Sequence, residues 1–114
     1  MAQENPSMIG EWRITEMEQW DQDFVDAEIP GFIRFDADGR GEFHFGYVHG
    51  HMTIEYAEDG GVPKAEWSWW GNDEMHEASG RGWAVIDAAG VLDGKLVFDR
   101  GDTSDFTAVR AGLG

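Results

Sequence analysis

The sequence predicts an all-β domain: an antiparallel, up-and-down sheet of eight strands, closed into a barrel or tightly rolled, with one short helix between the first and second strands. Three observations predict it. Apolar residues alternate at period two along run after run, Gly-rich or Asp-Gly turns separate the runs, and helical periodicity is confined to one short stretch. With 114 residues, 41% hydrophobic and 13% aromatic, the chain is sized for one domain with a real core and not for two. The expected unit is a single β domain over 1–114, with its core at about 8–111 and frayed ends.

The first strand runs from Gly10 to Met17, with Trp12, Ile14 and Glu16 on one face and Arg13, Thr15 and Met17 on the other. In the following EQWDQDFVDAE stretch, Trp20 and Phe24 stand four apart among acids, which predicts a helical turn closed by Pro30. A second strand covers Phe32 to Phe35, and the turn around Asp38-Gly39 leads to a third over 41–48 that carries Phe43, Phe45 and Tyr47 inward. The glycine of His49-Gly50-His51 predicts the next reversal, before a fourth strand carrying Met52, Ile54 and Tyr56. After the Gly60-Gly61 turn a fifth strand presents Ala65, Trp67 and Trp69 to one side and Glu66, Ser68 and Trp70 to the other. Residues 71–80 are expected to form a long loop. Trp83 and Val85 mark a sixth strand, Leu96 and Phe98 a seventh, and Phe106, Ala108 and Arg110 an eighth.

Charge narrows the function classes. Eight Lys and Arg against 23 Asp and Glu give a net charge of −15, which leaves no basic patch to neutralise phosphates and excludes nucleic-acid binding of the usual kind. Such acidity serves solubility through self-repulsion, attraction of a basic partner, or adaptation to high salt. Zero cysteines exclude a disulfide framework, a thiol nucleophile and a cysteine metal site, and favour the cytoplasm. Met1 is followed by the polar run AQENPS, with neither a basic start nor an apolar stretch of membrane-spanning length, so a soluble cytoplasmic protein without membrane contact is expected.

Gly10-Glu11-Trp12 at the start of the first strand and Arg110 on the last resemble the calycin superfamily, the lipocalin, fatty-acid-binding-protein and avidin group of ligand-binding barrels. The resemblance implies that Arg110 packs over Trp12 at the closed end of the barrel, through cation–π contact and hydrogen bonds to the first turn. It also implies a lid at the position of the Trp20–Phe24 turn. The chain departs from the lipocalin pattern in being shorter and in lacking a second motif.

The leading functional expectation is a non-catalytic barrel that binds a small apolar or aromatic ligand. Glu16, Trp20, Phe24, Tyr47, Tyr56, Trp69 and Arg110 are its candidate ligand-binding residues: rings supply the apolar contact, and the carboxylate, hydroxyls and guanidinium supply fixed polar points. The alternative is an acidic protein–protein interaction module with a solid core, in which an outward Trp70 meets a basic protein partner. A third reading is an enzyme using the acids and histidine of 72–77.

No catalytic residue, metal ligand or cofactor is assigned. His44, His49, His51 and His76 read as turn and surface residues that do not converge, and the Asp36–Glu42 stretch reads as a hairpin and not as a calcium loop. The chain is expected to be a monomer or a homodimer, the latter if open barrel edges pair.

Overall fold

The structure, a computed structural model, describes residues 8–111. It contains β1 (Gly10–Met17), α1 (Gln22–Val25), β2 (Phe32–Phe35), β3 (Arg40–Phe45), β4 (Val48–Asp59), β5 (Val62–Asp73), β6 (His76–Ile86), β7 (Leu92–Phe98) and β8 (Thr103–Arg110). Each strand pairs antiparallel with the next, and β1 pairs with β8, so the meander closes into an eight-stranded barrel. This is the predicted fold class, with the short helix where the Trp20–Phe24 spacing put it. The architecture is consistent with a calycin-like barrel. Closure removes the open barrel edges that would have favoured a dimer by strand pairing. Among the described residues no helix is long and apolar enough to cross a membrane.

The two ends of the barrel are built differently. Where β1 begins, Trp12 donates its indole N–H to the Met8 carbonyl at 3.0 Å and lies beneath the Arg110 guanidinium, 4.1 Å from the ring centre. Arg110 also donates to the Ile9 carbonyl at 2.8 Å, so the contact implied by the resemblance is present. Where β1 ends, α1 covers the mouth. Asp21 caps it by accepting the Phe24 N–H at 3.0 Å, and Gly46 donates to the Val25 carbonyl at 2.9 Å.

Four sequence expectations about register are corrected. The β3–β4 reversal lies at Gly46-Tyr47 and not at His49-Gly50-His51, because Gly46 takes the left-handed backbone (φ 56) that the turn needs. Gly50 is instead a strand residue facing inward, where an added Cβ would meet the Phe43 and Trp69 rings. At β6, Ala84 and Ile86 face the core while Trp83 is 39% exposed and Val85 only partly buried, the reverse of the expected phase.

The reason lies across the ladder: Gly80 pairs with Trp69 and Gly82 with Trp67, and their missing side chains make room for the two indoles. In β1 a register shift between Ile14 and Glu16 turns Glu16 outward and Met17 inward, as a β-bulge does. Lastly, the long loop expected over 71–80 is a two-residue turn, Glu74-Met75, with Asn72 opposite Glu77 and Asp73 opposite His76 in the β5–β6 ladder.

The barrel interior is filled. Trp12, Phe35, Phe43 and Phe45 are almost wholly buried, and Trp67 and Trp69 nearly so. The space left among Ile14, Phe43, Phe45, Leu96 and Phe106 is about 10 Å³, too little to seat a small molecule.

Candidate functional site

The sequence-predicted ligand residues separate into three places. Trp20, Phe24, Tyr47 and Trp69 come together at the α1 end. Trp20 stacks on Phe24 with ring centres 6.1 Å apart and leans on Phe45 at 5.1 Å and Phe98 at 5.9 Å. Phe24 meets Tyr47 edge-on at 5.8 Å, and Phe98 meets Trp69 at 5.1 Å. Tyr47 is a turn residue, 42% exposed, and not an inward strand residue.

Tyr56 and Arg110 belong to the opposite end. Tyr56 donates its hydroxyl hydrogen to the Asp36 carbonyl at 2.7 Å, and its phenol pKa is pushed up to about 12 by burial and by the nearby Asp36 and Asp38 charges. Glu16 stands outside the barrel. The seven residues therefore do not line one cavity.

Larger openings lie on the outer face of β4–β7. One groove of about 480 Å³ runs past Thr53, Glu55, Glu66, Ser68, Arg81 and Trp83. A second, of about 630 Å³, is bounded by His49, His51, Trp70, Glu77, Asp99 and Arg100. Strand register explains the first, whose named residues are the outward set of β4, β5 and β6, and most of the second, to which Asp99 and Arg100 come from the turn between β7 and β8. Trp70 is 64% exposed, the outward orientation expected from alternation, and its ring lies 4.8 Å from His51 directly across the β4–β5 ladder.

On the next outward rows, Glu55 stands opposite Glu66, Glu66 opposite Trp83, and Trp83 opposite Lys95. Two carboxylates directly opposed across a ladder repel, and burial against a cation relieves that repulsion. Lys64 reaches Glu66 at 3.3 Å, and Lys95 lies 5.5 Å from the centre of the Trp83 ring. Beneath the first groove, the Trp67 indole nitrogen is buried without a hydrogen-bond partner among the described residues.

On β3 and β4, His44, His49 and His51 form one outward cluster, His44 across the ladder from His49 and His51 two residues further along β4. The ring centres are 5.5 Å apart for His44–His49 and 4.9 Å for His49–His51. Moving the turn to Gly46-Tyr47 places His49 and His51 on a strand beside His44, so these three rings are neighbours, although no three such groups among the described residues are set to hold an ion and His76 begins β6. Glu42 lies 3.0 Å from His49 and 2.6 Å from Arg34; the His49 hydrogen bond, then Arg34, holds its carboxyl below the ordinary glutamate value. The period-two spacing of His49 and His51 was the available sequence signal; the misplaced turn hid it.

Compared with known proteins, the chain matches no protein-family model and no curated protein. The class defined here is accordingly architectural: a closed, eight-stranded antiparallel barrel with a filled interior and an aromatic, acidic outer face.

Proposed function

We propose that the protein is a non-catalytic interaction module whose outer β4–β7 face receives a basic segment of a partner protein. One observation carries this reading. The opposed carboxylates Glu55 and Glu66 stand beside the exposed Trp83, where Lys64 meets only Glu66 and Lys95 lies 5.5 Å from the ring centre, so an incoming Lys or Arg would add to the relief of like-charge repulsion and pack its aliphatic stem on the indole. Trp70 extends the aromatic surface along β5, and the net charge of −15 favours encounter with a cationic partner.

The direct test is fluorescence anisotropy with a labelled nona-arginine peptide, with nona-glutamate as control. Binding is expected at low salt and should weaken steeply as ionic strength rises to ~0.3 M. The paired change Glu55→Gln with Glu66→Gln, and Trp83→Ala separately, should each weaken it about tenfold, roughly the 1.4 kcal/mol of one good contact. Glu11→Gln with Asp102→Asn, which removes as much charge elsewhere, should have little effect. Equal weakening by the two double variants would mean diffuse charge attraction and no site.

A second reading, the binding of a small apolar or aromatic ligand, is supported by the convergence of Trp20, Phe24, Tyr47 and Trp69 at one mouth. It requires the stacked cap to open, since the interior is filled. Native mass spectrometry of protein from its own source separates the readings: a reproducible extra mass of small-molecule size favours the ligand, and a bare chain favours the solid module.

A further inference from the structure

We propose that His44, His49 and His51, supported by Glu42, form a surface site for one divalent transition-metal ion of the zinc type. His49 and His51 are two apart on β4 and point outward together; His44 is the direct ladder partner of His49, and Glu42 that of His51. The four side chains therefore occupy the corners of one square on two neighbouring strands. Two imidazoles bound to one tetrahedral ion, with metal–nitrogen bonds near 2.0–2.1 Å, have ring centres about 5 Å apart. The observed separations of 5.5 Å for His44–His49 and 4.9 Å for His49–His51 lie on either side of that value, and His44 and His51, on the diagonal of the square, must close up for all three to bind one ion.

Carboxylates of the kind that orient metal-bound imidazoles are already in place, with Glu28 at 3.1 Å from His44 and Glu42 at 3.0 Å from His49. As the side chains stand, no three imidazole or carboxylate groups among the described residues are set to hold an ion. Closing the site takes rotation about side-chain χ angles, which His49, 41% exposed, and the exposed His51 can make without disturbing the core. The chemistry of the donors selects the ion: three imidazole nitrogens suit zinc, nickel, copper or cobalt and not calcium or magnesium. This inference does not depend on the proposed basic partner.

The test is isothermal titration of the full chain, carrying no added histidine tag, with Zn²⁺ and separately Mg²⁺. One Zn²⁺ per chain is expected, with Mg²⁺ at least 100-fold weaker. His49→Ala and His44→Gln should each weaken Zn²⁺ binding at least tenfold while leaving the far-ultraviolet spectrum unchanged, and His76→Ala, at the β5–β6 turn, should leave the affinity within twofold.

A second readout uses the position of Trp70 beside His51. Ni²⁺ or Cu²⁺ should quench a part of the tryptophan emission that is missing in Trp70→Phe. Zn²⁺ binding unchanged in both histidine variants, or Zn²⁺ and Mg²⁺ binding alike, would overturn the site.

Discussion

Arg110 lies 4.1 Å from the centre of the Trp12 ring and bonds the Ile9 carbonyl, so the end of the last strand locks the start of the first. The same residues pair in the β1–β8 ladder that closes the barrel. Replacing Arg110 by Met keeps an apolar stem over the indole and removes both the cation–π contact and the hydrogen bond. A loss of about 1–2 kcal/mol is expected, read as a lower urea midpoint at unchanged slope. An unchanged midpoint would mean that the guanidinium contributes nothing to closure.

Gly80 and Gly82 are where the core has no slack. An added Cβ at Gly82 would stand 2.6 Å from the Trp67 ring, and one at Gly80 would collide with the Val97 carbonyl. Gly82→Ala should cost about 1–3 kcal/mol by overpacking, and Gly80→Ala more, because backbone cannot step aside as a side chain can. The double change Gly82→Ala with Trp67→Phe should recover part of the loss in thermal melts. If each glycine variant melts with the wild type, β6 does not face the two indoles through its glycines.

The acid and alkaline limits of stability should trace to opposite ends of the barrel. At the α1 end, the Gly31 N–H donated to Asp26 at 2.8 Å, with Gln22 and Arg13 alongside, holds the Asp26 carboxyl below its ordinary value of 3.8. A depressed folded-state pKa gives stability that is present above the unfolded value and lost as pH falls through the folded one. Asp26→Ala should therefore be less stable than wild type at pH 7, with the gap narrowing below about pH 4.

At the other end, Tyr56 is raised to about 12, so its contribution is complete below its ordinary value of 10.0 and lost as pH rises through 12. Tyr56→Phe should lack this alkaline loss, and its denaturation midpoint should approach the wild-type value above pH 10. Parallel pH profiles for wild type and either variant would remove that residue from the account.

Alternation and turn chemistry in the sequence determined the eight antiparallel strands and the outward Trp70, and the four-residue spacing of Trp20 and Phe24 the short helix after β1, while the contact of Arg110 with Trp12 was implied by the calycin resemblance. These are local or pattern-level properties: period two sorts faces, and glycine and aspartate mark reversals. The phase of that alternation was decided only in the tertiary structure wherever both parities carry large or small residues.

Trp83 looked inward until Gly80 and Gly82 proved to face Trp69 and Trp67, since a small residue belongs in the core when its ladder partner is an indole. Glu16 left the inner face through a bulge that no composition signals, and Gly50 marked a close approach to Phe43 and Trp69 where a turn was expected. The outer face followed from those choices. His44, His49 and His51 form a cluster, and Glu55 faces Glu66 beside Trp83, only because ladder register, set by core packing across several strands, fixes which side chains share the surface.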